Sequence, residues 1–410
     1  MSSPSLSLLG TVRQPVSAGR ARPVPAKQPS RMITILTDAR LILPDRVVSG
    51  TVVVRDGLIV EVQPGPSTAP SAVRLDGDVL MPGVVDVHTD NLERQVQPRS
   101  SARWPSRSAL MAHDAQCAAS GVTTVLDALC LGDLGFEEAR TRTFHDGVAD
   151  LDAMAGTGLL KAEHFLHLRC ELPAESMFGL LDPVADHPRV RMVSLMDHTP
   201  GVGQYADLDR YRAMRRRDGF SPEAIERRIA ELHALRERWR GPNRRGLLRR
   251  VAGTGAVLAS HDDRTAEEIE ENRADGIRIS EFPVTLRAAE AAKAHGMEVI
   301  AGAPNIVRGG SHSGNVAAAE LVRRGAVDAL ASDYVPASLV EAAFACADAE
   351  TCGIGLPEGV ALVTDRPARM AGLADRGRIA PGLRADLVRV RVHDGLPVVR
   401  QVWRAGERVI

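Results

Sequence analysis

The chain of 410 residues is poor in aromatic residues, at 3%, so it lacks the rings on which single-stranded nucleic acid stacks. It also lacks an excess of charge. Lys and Arg number 51 against 52 Asp and Glu, a formal net charge of −1, so no global field draws the protein to nucleic acid or an anionic membrane. No apolar run approaches the roughly 20 residues that span a bilayer. The five cysteines, Cys117, Cys130, Cys170, Cys346 and Cys352, show no paired CxxC spacing. Odd in number and without a framework, they suit free packing thiols in a reducing compartment, and the cytoplasm is the expected location. The first 31 residues, rich in Ser, Pro, Ala and Arg, have no continuous apolar core of the kind a secretory signal needs. They read as a disordered extension, and the fold is expected to start at Met32.

What is present is a string just past the first fifth of the chain, Asp86-Val87-His88-Thr89-Asp90-Asn91, following the uncharged run LMPGVV. An imidazole and carboxylates thus appear where a buried strand should end, which is where barrel enzymes keep their chemistry. Side chains alternate along a strand, so His88 and Asp90 point the same way and could share one metal ion. An HxD triplet alone is a weak signal. Repetition strengthens it: HFLHLRCE ends at Glu171, RMVSLMDH at His198, AVLASH at His261 and VDALASD at Asp333. Five such endings imply parallel strands delivering ligands to one end of a barrel. Imidazoles and carboxylates suit zinc or a similar divalent ion, one or two in number, able to acidify a bound water.

Length permits one large barrel with a smaller appendage. From Met32 to about Leu75 short β-rich runs are broken by turn signals such as Asp56-Gly57. The tail repeats the style in ADLVRVRV and DGLPVVRQVWRAGERVI. The expected fold is α/β: a TIM-like (β/α) barrel over residues 79–377, beside a small β-sandwich domain built from both chain ends, residues 32–78 and 378–410. Within the barrel, Ala-rich stretches such as Asn315 to Arg324 read as helices.

Residues 205–250 break the βα rhythm with about fourteen arginines against about seven acids, in a helical pattern that Ser221-Pro222-Glu223 should start. Two readings stand: a solvated helical insertion, or a basic lid near an anionic substrate. The stretch Asn305 to Asn315 offers glycines, the Arg308 guanidinium and hydroxyls just before a helical run. It suits oxyanions, and it equally suits an ordinary βα loop with a polar cap.

Taken together, DVHTDNLE, SGVTTVLDAL, SLMDHTPG, ASHDD, GAPNIVRGGSHSGN and LASDYVPASL resemble the amidohydrolase superfamily, and within it the phosphonate-metabolism diphosphatases. The resemblance covers nearly everything after Met32. It implies metal-dependent phosphoanhydride hydrolysis: water added to a ribose 5-triphosphate, diphosphate released, and the 5-phosphate left with its methylphosphonate intact. It implies His88, Asp90, Glu171, His198, His261 and Asp333 as metal ligands, and Asp333 also as the group that takes the proton from the attacking water. It tips Asn305, Arg308, Ser311, His312, Ser313 and Asn315 towards substrate contact, with Asn91 able to reach the same pocket. The superfamily usually opens with HxH and often bridges its metals with a carboxylated lysine. Here Asp90 replaces the second histidine and no lysine stands at a comparable strand end, so Glu171 is the substitute bridge. A small phosphorylated molecule is the expected partner, with no nucleic acid, no membrane, and a homo-oligomer admitted. The rivals are an amidohydrolase for a cyclic amide or aminated ring, and a non-catalytic scaffold on the same barrel.

Overall fold

A computed structural model describes residues 33–99, 102–132, 134, 138–311 and 314–410. The extension expected over residues 1–31 lies outside them. The small sheet starts with β1 (Ile33–Ile42), β2 (Val47–Arg55), β3 (Leu58–Pro64), β4 (Val73–Arg74) and β5 (Val79–Pro82). At the β2–β3 turn Asp56 and Gly57 both have positive φ, 51° and 82°, the conformation that an Asp-Gly hairpin turn requires.

Eight parallel strands follow: β6 (Val84–Thr89), β7 (Val122–Leu131), β8 (Glu163–Glu171), β9 (Val190–Met196), β10 (Val257–His261), β11 (Ile279–Glu281), β12 (Glu298–Gly302) and β13 (Ala329–Ala331). They pair in chain order, and a bridge between Thr89 and Asp333 joins the last strand to the first. Helices such as Ser106–Ala119 and Glu138–Met154 connect them. This is the (β/α) barrel, its strands read in sequence as near-continuous apolar runs because both faces are covered. The small sheet is completed by β14 (Leu387–His393), β15 (Leu396–Arg404) and β16 (Glu407–Arg408), in the order β16-β15-β14-β5-β1-β2-β3 with β4 on β1.

Both chain ends therefore build the second sheet. It runs through Pro82 rather than stopping at residue 78, because Val79 to Pro82 pair with β14. Gly83 marks the crossing into the barrel: a Cβ there would lie 2.3 Å from Thr123 Oγ1 and 2.8 Å from Asp386 Cβ. One face of the sheet holds its own core, with Leu36, Leu41, Val52, Leu387 and Trp403. The other packs Met81, Val388 and Val402 on barrel residues Val84, Val122 and Val340. All five cysteines are buried and free.

The arginine-rich segment forms two helices, Leu208–Arg217 and Pro222–Val251. Ser221 caps the second, its Oγ accepting from the Ala224 amide at 3.2 Å, with Pro222 in the first turn as a helix start allows. Leu232, Leu247 and Val251 anchor the long helix in the barrel core. Tyr211, Ile225 and Ile229 clamp the short helix against it. Further on, Ala303–Val307 is helical and the next helix runs only over Ala318–Arg323. Asn305 is thus on a helix rather than in an open loop, and the helix expected from Asn315 starts three residues later.

Candidate active site

Barrel closure itself assembles the centre. The Asp333 amide donates to the His88 carbonyl at 3.0 Å, and the Asp90 amide donates to the Asp333 carbonyl at 2.5 Å. Side-chain donor atoms of His88, Asp90 and Asp333 then lie within 4.8 Å of one another, and those of His198, His261 and Asp262 form a second such group. The His261 ring stacks 5.9 Å from His88 and meets His198 edge-on at 5.6 Å.

What aims these rings is a pair of carboxylates. Glu281, the last residue of β11 and fully buried, holds His88 Nδ1 at 2.7 Å with one oxygen and His261 Nδ1 at 2.8 Å with the other. It also accepts from Ser194 Oγ at 3.0 Å, and Ser194 in turn contacts His167 Nε2. Glu171, ending β8, holds His198 Nδ1 at 2.6 Å and its amide at 2.9 Å. With every Nδ1 occupied, the three imidazoles present Nε2 towards the centre, that of His88 facing Asp90 Oδ1 at 3.6 Å, the arrangement found where an outer carboxylate orients a metal-binding histidine. The donor set of imidazoles and carboxylates fits a divalent ion of the zinc type.

Charge follows the same geometry. Burial alone would lower His88, but the Glu281 carboxylate and the nearby Asp90 carboxylate outweigh it and push the ring up to about 10. Glu281 is buried too, which would raise it, yet the adjacent imidazoles hold it well below the usual carboxylate range. Burial also works to raise Asp90, and the Arg169 guanidinium, bonded at 2.5 Å, overrides it and keeps the group ionised. Asp333 moves the other way, pushed up to about 6 by burial and by the Asp90 charge. Asp262, Phe282 and Asp333 all sit at strand ends with positive φ, 57°, 54° and 55°. Left-handed backbone at non-glycine residues stores strain of the kind that functional sites retain.

A cavity of about 440 Å³ opens over this floor. His88, Asp90, Glu171, His198, His261 and Asp333 all line it, so the six ligand candidates meet at one place. Asn305, Arg308, Ser311 and Asn315 line it as well. Asn91 does not: its amide turns to His113 Nδ1 at 2.9 Å and Gln116 Oε1 at 3.1 Å. His312 and Ser313 lie outside the described residues. The sequence reading missed Glu281, although ISE ends at an acid in the same way as the other strands. It also missed Arg140 and Arg169, two guanidinium groups in the wall.

Eight parallel strands closed into a barrel, with imidazoles and carboxylates gathered at the strand ends, define a (β/α)-barrel protein with a candidate metal centre. No protein-family model matches the chain. Among curated proteins it is 42% identical over 376 residues to the alpha-D-ribose 1-methylphosphonate 5-triphosphate diphosphatase of Escherichia coli, covering 92% of this chain and all of that protein. The chain belongs to the family of that diphosphatase. A short stretch of 66 residues is 41% identical to the imidazolonepropionase of Deinococcus deserti. Solved structures share the fold: molinate hydrolase at a TM-score of 0.62 and 13% identity, covering 92% of this chain and 94% of that one. The N-acetyl-D-glucosamine-6-phosphate deacetylase of Mycobacterium smegmatis follows at 0.59 and 17%, covering 92% and 99%.

Proposed function

We propose that this protein hydrolyses α-D-ribose 1-methylphosphonate 5-triphosphate to the 5-phosphate and diphosphate, a step of phosphonate catabolism. The observation that carries the reading is the near-full-length identity of 42% to the diphosphatase. The cavity supports it chemically, since Arg140, Arg169, Arg215 and Arg308 line its wall. Guanidinium forks match phosphate oxygens, whereas a cyclic amide would need no such concentration of positive charge.

His88, Asp90, His198, His261 and Asp333 would hold one or two divalent ions, zinc by the chemistry of the donors, while Glu171, expected as a bridging ligand, has both oxygens on His198 and orients that ring instead. Such an ion lowers the pKa of a bound water and neutralises phosphate oxygens. The chain's own residues do the rest. Asp333 accepts the proton as the water oxygen bonds to phosphorus and the anhydride P–O bond between the first and second phosphates breaks. Arg308, Ser311, Asn315 and, outside the described residues, His312 and Ser313 bind and orient the phosphates, and Asn305, whose side-chain amide accepts from the Ala318 amide at 3.0 Å and donates to the Val316 carbonyl at 3.4 Å, holds the stretch in place. The substrate is a free phosphorylated sugar. No helix among the described residues is long and apolar enough to cross a membrane, and we place the protein in the cytoplasm.

The test is diphosphate release from the ribose triphosphate by purified protein, beside a panel of cyclic amides. Release that stops on chelation and returns with a divalent ion is expected; turnover of a cyclic amide without diphosphate release would reject the reading.

A further inference from the structure

We propose that the centre takes one divalent ion, on the side of His198 and His261, and that the Arg169 guanidinium fills the second cationic position, beside Asp90. The inference rests on the metal dependence proposed above and concerns only how many ions are held and what excludes another.

Two donor groups are available, His198 with His261 and Asp262, and His88 with Asp90 and Asp333. They differ in what already occupies them. Asp90 Oδ1 receives Arg169 Nη1 at 2.5 Å and lies 3.6 Å from His88 Nε2. The two potential ligand atoms of the HxD motif, His88 Nε2 and Asp90 Oδ1, thus face each other, and the oxygen is already taken by a guanidinium. Arg169 is only 5% exposed. Its Nε rests on Met196 Sδ at 3.2 Å, so the head is pinned at two points.

A guanidinium cannot give up its proton in a protein. Lysine could become neutral before an incoming dication; Arg169 cannot. An ion bound to Asp90 would therefore meet a fixed positive charge across one carboxylate in a buried site, where Coulomb repulsion is poorly screened. Displacing Arg169 would leave its charge buried and unpaired, which is costlier still. The arrangement also accounts for the replacement in the motif. A histidine at position 90 could not pair with Arg169, whereas aspartate pairs with it and keeps its negative charge. The single ion and the guanidinium then act from two sides, and Asp333 lies next to Asp90 and His88 with no second ion competing for its oxygens.

The experiment counts ions without reference to turnover. Full-length protein is stripped with chelator, reloaded with excess Mn(II), desalted, and measured by plasma mass spectrometry and electron paramagnetic resonance. One manganese per chain with the six-line spectrum of an isolated ion is expected. Two per chain with an exchange-coupled spectrum would overturn the proposal. No bound ion would overturn it together with the metal dependence, whereas diphosphate release tests the substrate independently. Arg169→Met should admit a second ion, roughly doubling the content; a variant that still binds one would reject Arg169 as the excluding group. Should that variant fail to fold, the wild-type count and spectrum alone decide.

Discussion

Asp333 and His88 are joined by a backbone hydrogen bond of 3.0 Å, the contact that closes the barrel between its eighth and first strands. The carboxyl is thus placed by the scaffold rather than by a loop, with a left-handed φ of 55° turning it inward. Asp333→Asn keeps the shape and the backbone bond while removing the proton acceptor. Turnover should fall by about 10²- to 10⁴-fold, the usual worth of a general base, with the thermal midpoint nearly unchanged. Activity within a few-fold of wild type would remove Asp333 from the role.

Glu281 is the residue whose loss should spread furthest, because one carboxylate fixes two imidazoles and a serine. Glu281→Gln can still accept a bond but cannot neutralise both rings. Outer carboxylates of this kind typically contribute 10- to 100-fold in metal affinity. A competition titration with a chromophoric chelator should show a loss of that order, and an unchanged affinity would assign Glu281 to packing alone.

The barrel was legible because most of its strands read as apolar runs, and the residues named as ligand candidates because five of those runs stop at a donor. Glu281 escaped for a physical reason: β11 spans only Ile279–Glu281, too short for an apolar run to announce it. Arg169 sits inside HFLHLRCE, where a charged residue in mid-strand has no local signature and is explained by its bond to Asp90, just past the end of β6. Asn91 was read towards the cavity, yet it begins the helix Asn91–Val96, and the change from extended to helical backbone there turns its side chain to His113. Pro304 sits in the first turn of the helix Ala303–Val307, a place proline tolerates, so what read as a glycine-rich loop begins as a helix.

Behind the site, His164 places Nδ1 2.8 Å from Asp127 and Nε2 3.2 Å from Asp114, with His113 and Cys117 packed alongside. Burial alone would lower His164, but the two carboxylates push it up to about 9. The folded protein therefore keeps a proton that the unfolded chain releases near 6.5. This stabilisation is complete below pH 6.5 and is lost as the pH rises through about 9. Denaturant unfolding followed across that window should show wild-type stability declining more steeply than that of His164→Gln. Parallel curves for the two proteins would mean that the ring is neutral when folded.

Arg215 is the arginine of the basic segment that reaches the cavity, from the last turn of the helix Leu208–Arg217. Its guanidinium lies 5.2 Å from the Tyr211 ring and 3.3 Å from Asp218, which holds it in place without burying it. Arg216 and Arg217 are exposed on the same turn. The segment thus splits into a solvated face and a single arm over the mouth, and the two readings of the sequence belong to different residues. Arg215→Ala should raise the Michaelis constant for the ribose triphosphate about tenfold, the ~1.4 kcal/mol expected of a bond to a charged group, with kcat less affected. Changing Arg216 and Arg217 together should leave it within twofold. Added salt should weaken binding more steeply in wild type than in Arg215→Ala, because the variant has one fewer positive charge to screen. An equal salt dependence would shift the phosphate contact to Arg140, Arg169 and Arg308.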